Sequence, residues 1–406
     1  MPERSRRIPL VLIALSVALI AGGAYLIAAG RAIRMRGVEA PGDGELVYVK
    51  PTREDMDDAI ARGKSAFIEQ FVRPSWEAVS NGGYVDYTDA VGETHRYGPD
   101  AYVQSQLYLL THFLMYSKHF EVPDDDPLLI QVKTWFLDQF DAEEGRWLWS
   151  EETCLHPKGM IALARIGRPD LVDKAWAWAK RPPLWRERSK MFSIMNSGKI
   201  IQTVGPAEIS LTGRMTWEYQ DPIPDAEYST KFLYAVLVAG HTIDEPEVAE
   251  LYHGIDRYFS DRPLVFGEIH VGHVMGMVWY ILAHHEFDLP GGPGYEYAVK
   301  TVKDGMRSAG VLRSFELSRR FMGTRGMVLK AALLEGDRSE GMHREAAYIL
   351  GRQSEAGSWM SEKRAWRLDR KPVVGIRMGQ MNGSNTYLST LGLMSYRDLI
   401  FEATSE

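Results

Sequence analysis

Cysteine is almost absent: Cys154 is the only one in 406 residues. That excludes an internal disulfide framework and any cysteine-rich zinc site. Basic charge is scarce where it would matter for nucleic acid. The first 36 residues carry six arginines and one glutamate, a balance of +5, so residues 37–406 carry −12 of the −7 total. An acidic body without a basic run does not bind nucleic acid through its phosphates. Long apolar runs are also rare, with one exception. The stretch "IPLVLIALSVALIAGGAYLIAAG", Ile8–Gly30, is uncharged, and as a helix of roughly 1.5 Å per residue it is long enough to cross a bilayer core of about 30 Å.

This stretch predicts a signal-anchor, with "AGGA" inside it as a competing cleavage site for a signal peptide. The arginines before and after it nearly balance, so the positive-inside rule gives no firm orientation. A single early span followed by a long domain is expected to export that domain, to the periplasm in a bacterium. The chain thus divides into an anchor segment at 1–36, a Gly- and Pro-rich linker at 37–52, and a body at 53–406.

The body reads as helices of two alternating kinds. Segments such as "AYVQSQLYLLTHFLMYSK", "YSTKFLYAVLVAG" and "TRGMVLKAALLEG" are apolar nearly all round, as buried helices are. Segments such as "DPLLIQVKTWFLDQF", "EPEVAELYHGIDRYF" and "SEGMHREAAYILGRQ" are amphipathic, as covering helices are. Counting a first helix from Arg53 that Thr52 caps, six of each alternate along the chain, with Gly near the ends of several inner ones. One helical hairpin per repeat, six times, predicts an all-α fold closed into an (α/α)6 toroid. Two inserts, 84–98 and 208–222, read as short β-hairpins, and 186–204 as an extra helix.

One stretch, "REAAYILGRQSEAGSW", deserves separate reading. Tyr348, Ile349, Gln353, Gly357 and Trp359, with Arg344 upstream, resemble the QW motif of terpenoid-cyclase and protein-prenyltransferase α/α toroids, although Glu345 replaces the usual small residue. A second copy, Trp135, Gln139, Gly145 and Trp147, has a Gln–Gly spacing two residues too long. The resemblance implies the toroid fold and a structural tie between an outer helix and the next inner one. It carries no catalytic residues across. "DMDD", Asp55, Asp57 and Asp58, has the letters of the cyclase proton-donor motif but lies in the first turn of the first helix, where acids favour the dipole. "PDDDP" is an inter-helix turn, and no prenyltransferase zinc set is present.

In such a toroid all the loops entering inner helices share one rim. That rim groups Glu152, His156, Asp221, Glu268 and His270 as candidate acids and bases. Trp217, Tyr219, Tyr228, Arg319, Asn385 and Tyr387 are candidate substrate contacts. His156, Glu268, His270 and His273 contain the residue types of a divalent metal site but not a recognised ligand spacing, so no metal or other cofactor is predicted. The leading expectation is a membrane-anchored glycan hydrolase, lyase or epimerase working by carboxylate/His chemistry. A terpenoid-cyclase-like enzyme on a membrane lipid and a non-enzymatic module that binds a protein or lipid partner are the alternatives.

Overall fold

The computed structural model describes residues 49–81, 85–88, 94–97, 103–147, 156–181, 184–192, 194–196, 199–201, 226–261, 271–307, 322–359 and 376–402. Lys50–Glu406 forms one compact unit. The expected anchor Ile8–Gly30 lies outside the described residues. Among those described, no helix is long and apolar enough to cross a membrane.

The first helix, α1 (Arg53–Ala66), begins as expected at Thr52. The Thr52 hydroxyl accepts from the Asp55 amide at 3.1 Å, while Asp55 accepts from the Thr52 amide at 2.9 Å. This reciprocal capping box holds the Asp55 carboxyl below its usual range, through the Thr52 side chain first. Asp57 and Asp58 pair with Arg397 at 3.1 Å and with Arg62 at 3.0 Å. The "DMDD" acids are therefore helix-start and surface chemistry.

A π-helical segment, Phe67–Val72, continues α1 into α2 (Arg73–Asn81). Then follow α3 (Val103–Tyr116), α4 (Pro127–Asp138), α5 (His156–Arg165), α6 (Pro169–Ala179), α7 (Ala226–Val238) and α8 (Pro246–Asp261). The series ends with α9 (Val271–Phe287), α10 (Pro293–Arg307), α11 (Met322–Leu334), α12 (Glu340–Leu350) and α13 (Ile376–Arg397). Helices α3, α5, α7, α9, α11 and α13 each pack against the next, and α13 returns to α3, so they close a ring. The α1–α2 run, α4, α6, α8, α10 and α12 cover it. This is the all-α architecture that the alternation of apolar and amphipathic segments predicts. Inner helices α5, α7 and α11 are buried on nearly every side, whereas α8 buries one face through Val248, Leu251, Tyr252, Ile255 and Phe259. Inner helices α11 and α13 cross closely: a Cβ at Gly392 would lie 2.4 Å from the Gly326 carbonyl oxygen.

The first expected hairpin is present, β1 (Val85–Thr88) pairing with β2 (Thr94–Tyr97). The second, 208–222, lies outside the described residues. The expected extra helix at 186–204 is not found. Its described part forms two small antiparallel ladders, β5 (Trp185–Arg186) with β6 (Met191–Phe192) and β7 (Ile194–Asn196) with β8 (Lys199–Ile201). Lys190 turns the first of them with φ 56°, a left-handed conformation that no helix accommodates. A further two-residue ladder, β3 (Phe140–Asp141) with β4 (Arg146–Trp147), follows α4.

The QW-like stretch does what its residue types allow. Gln353 Nε2 donates to the carbonyls of Ala59 (2.8 Å) and Gly357 (2.9 Å). The Trp359 indole donates to Ile349 O at 2.7 Å, and its amide donates to the Thr386 hydroxyl on α13 at 3.2 Å. The stretch thus ties α12 to the following inner helix, as the motif implies. It also reaches α1, sealing the last hairpin against the first.

Candidate functional site

Connections into inner helices, such as 139–155, 180–225 and 351–375, are long. Connections out of them, such as 166–168, 288–292 and 335–339, are short. Many of the sequence-predicted residues lie outside the described ones: Glu152, Trp217, Tyr219, Asp221, Glu268, His270 and Arg319. His273 is in the first turn of α9.

His156, the first residue of α5, belongs to the layer between α5 and α6 and not to the barrel interior. Its ring lies 4.5 Å from that of Trp178, 5.2 Å from Trp147 and 6.0 Å from Phe232. Its Nε2 donates to Ala175 O at 2.9 Å. Burial pushes its pKa down to about 4, only partly offset by that bond, so it is neutral at pH 7. It is a core histidine, not the rim acid–base or metal ligand that the sequence suggested. Asn385 accepts from the Gly323 amide at 3.1 Å, which fastens α13 to the start of α11. Among the described residues no group of three metal-binding side chains exists.

Two residues after His156, roughly 200° around the helix, Lys158 enters a different environment. Its ammonium sits over the Tyr108 ring, 3.8 Å from the centroid. From α7, Lys231 pairs with Glu227 one turn earlier and lies 5.6 Å from the Tyr228 ring and 5.8 Å from that of Trp279. From α3, Tyr108, His112 and Tyr116 form a stripe at four-residue spacing; the first two rings are 4.1 Å apart. Tyr387 on α13 meets this stripe, 4.7 Å from His112 and 5.3 Å from Tyr116. Lys158, Lys231, His112 and Tyr387 are all buried.

The electrostatics follow from that burial. His112 is held well below its ordinary pKa, by burial first and then by Lys158, so it is neutral, and its Nδ1 donates to Tyr108 O at 2.5 Å. Burial lowers the Lys231 pKa, Glu227 raises it, and Lys158 lowers it further. Burial pushes the Tyr387 phenol up. The entering half of the barrel thus presents π-faces beside two ammonium groups and the carboxylate Glu227. Of the expected contacts, Tyr228 and Tyr387 belong here. Tyr108, His112, Lys158 and Lys231 were not anticipated. A lysine inside the otherwise apolar strings "PKGMIALARIG" and "YSTKFLYAVLVAG" was the available signal.

No family model and no curated protein matches the sequence. Among solved structures, the chain is similar to the type II terpene cyclase MstE from Scytonema. An arginine-to-alanine variant of that enzyme, in complex with its substrate geranylgeranyl dihydroxybenzoate, matches with TM-score 0.51 and 11% identity, covering 87% of this chain and 100% of that one. A tyrosine-to-phenylalanine variant without ligand gives TM-score 0.50 and 11% identity, covering 85% and 98%. At this identity the likeness establishes the fold, the α/α toroid of terpenoid-cyclase-like proteins.

Proposed function

We propose that the toroid is a cyclase-type enzyme that encloses an isoprenoid chain within the barrel. The carrying observation is the aromatic wall formed by Tyr108, Tyr116 and Tyr387 on α3 and α13, with Trp279 on α9, the inner helix opposite α3 in the ring. Ring faces stabilise cations through their quadrupole, most strongly where water is excluded, and a polyene that cyclises passes through carbocations. Fold likeness over the full length of a cyclase supports the same reading. Lys158 and Lys231 would meet the polar head of the substrate, since ammonium groups repel a carbocation held beside them.

Initiation requires an acid strong enough to protonate an alkene. Glu227 is paired with Lys231, so it serves as an acceptor. The proposed donors are the carboxylates of the entering loops, Glu152, Asp221 and Glu268. Attachment through Ile8–Gly30 belongs to the proposal too, and would keep the barrel near a lipid substrate. The glycan reading fits less well: the two solved structures described above are terpene cyclases, and the described interior offers ring faces and ammonium groups rather than two carboxylates across a cleft.

The test is incubation of the purified chain in detergent with polyprenyl substrates bearing neutral and acidic heads, analysed by mass spectrometry. Cyclic products should form, and Tyr387→Leu should slow them about tenfold or more while the protein stays folded. Binding without turnover by the wild type would replace the enzyme with a lipid-binding module. Neither binding nor turnover would end the proposal.

A further inference from the structure

The opposite end of the barrel, where the inner helices finish, holds a second polar cluster that cyclisation does not use. Arg165, the last residue of α5, donates through Nη2 to Tyr234 Oη at 3.0 Å and to Glu286 Oε1 at 2.5 Å. Tyr234 Oη in turn donates to Glu286 Oε2. Both oxygens of this carboxylate are therefore engaged, by two residues of neighbouring inner helices.

Lys330 faces the same group from α11. Five residues earlier, Arg325 pairs with Glu345 of the outer helix α12 at 2.5 Å. Five residues turn a helix by roughly 140°, which directs Lys330 away from the outer layer. Its surroundings agree: besides burial, the charges that act on it are Glu286 from α9, Arg165 from α5 and Asp398 just beyond α13. Asp398 is paired with Arg397 at 2.7 Å. Among the described residues no hydrogen bond or ion pair engages the Lys330 ammonium. His119, just past α3, completes the group. Its ring is 5.8 Å from that of Tyr116, and its Nδ1 is buried without a hydrogen-bond partner. Burial pushes its pKa down to about 4, with Lys330 the next influence, so it is a neutral ring with one N–H to offer.

A bland explanation is available for cations here, because helix C-termini carry negative partial charge. At α11 that role is already filled. Arg338 Nη1 donates to Leu333 O at 2.6 Å and to Asp337 O at 3.1 Å, and Lys303 donates to Glu335 O at 3.0 Å. Lys330 bonds no carbonyl. A partly buried cation without a partner is costly unless something compensates it. Around Glu286 two cations, Arg165 and Lys330, stand against one carboxylate, and among the described residues Lys330, His119 and the remaining nitrogens of Arg165 have unused donors. Side chains at this end reach solvent, Arg165 being 26% and Glu286 39% exposed.

We propose that this cluster binds a phosphate-type oxyanion, with Lys330 and Arg165 supplying charge and His119 a directed N–H. Arginine and lysine together, at partly desolvated positions, are suited to such oxyanions. The site is independent of the cyclase reading. Two sources share this chemistry, free phosphate and the head of a phosphorylated lipid.

The experiment is a titration of the whole chain with sodium phosphate, and separately with a short prenyl monophosphate, against sodium chloride of equal ionic strength. Binding is read by thermal unfolding and by phosphorus NMR, in wild type, K330M and K330R. Phosphate should raise the wild-type Tm beyond the chloride control. K330M should fold with an unliganded Tm equal to or above wild type and bind at least tenfold more weakly, and K330R should retain binding. A response to the prenyl phosphate alone assigns the site to a lipid head, and a response to both assigns it to the free ion. No phosphate-specific signal in wild type overturns the proposal. So does an unimpaired response in K330M, or a K330M that does not fold, which would make Lys330 a structural residue.

Discussion

Two corners of the toroid, 139–147 and 353–359, solve one problem with different parts. In each, a glycine with positive φ, 74° at Gly145 and 87° at Gly357, presses against a backbone carbonyl of an outer helix. A Cβ would come within 2.3 Å of Lys174 O at the first and 2.5 Å of Arg62 O at the second. In each, a fully buried tryptophan then lies on a helical glycine, Trp147 on Gly159 and Trp359 on Gly63. The glutamines differ. Gln353 bonds across to α1, whereas Gln139 ends α4 with its backbone amide on Trp135 O at 3.1 Å, and the β3–β4 ladder occupies the extra length. The glycine–tryptophan pair therefore makes the corner, and the glutamine is an addition. Once the turn is pinned by its glycine and tryptophan, the spacing back to the glutamine is free to grow.

Stability measurements can break or sharpen that comparison. Truncating either tryptophan to alanine should cost about 3–5 kcal/mol, as for large buried aromatics, and similar losses are expected for Trp147→Ala and Trp359→Ala in denaturant titrations. A loss confined to Trp359 would show that only the second corner carries the fold. Next come Gly145→Ala and Gly357→Ala. The left-handed backbone alone costs about 1–3 kcal/mol, and the overlap with a carbonyl adds to it. The corners should separate at the third step: Gln353→Ala should lose about 1 kcal/mol, against a smaller loss for Gln139→Ala, read from the shift in unfolding midpoint. Equal losses would mean that Gln139 has a role its backbone bond does not reveal.

The smallest effect is a pH dependence beside the first corner. Asp173, next to Lys174, lies 2.7 Å from His241 Nε2, and Glu245 lies 2.8 Å from Nδ1. Burial, the largest single influence, lowers the His241 pKa, but the two carboxylates together raise it above its ordinary value. A raised folded pKa stabilises fully below the unfolded value, about 6.5, and the contribution disappears as pH rises through the folded one. The wild-type Tm should therefore drop slightly from pH 6 towards pH 8 relative to His241→Gln. A parallel pair of profiles would exclude the clamp.

The fold was largely legible because burial leaves a mark on composition. A helix surrounded by others, such as α7 or α11, has no polar face, and one on the outside, such as α8, must have one. Strands were harder. Val85–Thr88 with Thr94–Tyr97 alternates around a glycine turn and reads as a hairpin. Met191, Phe192, Ile194 and Met195 cluster without a period, and the left-handed Lys190 that turns them is a conformation no propensity assigns to lysine. The site was legible only in part. Tyr108, His112 and Tyr116 repeat every fourth residue and could have been read as one helix face, and Lys158 and Lys231 stand out in apolar surroundings. That Tyr387 completes the wall depends on ring closure, which no local pattern encodes. His156 misled for the same reason, since its neighbour Trp178 belongs to the next helix.

The Gln353–Ala59 bond joins positions 294 apart in the chain, and Arg397 pairs with Asp57 at the same seam. A chain being synthesised from its N-terminus therefore emerges with the apolar edge of its first hairpin uncovered. The edge stays exposed until nearly all of the protein has been made. Contacts of such separation slow folding, and exposed apolar surface favours aggregation meanwhile. Stop codons upstream of Gln353 should accordingly yield insoluble material rather than a shortened, soluble barrel.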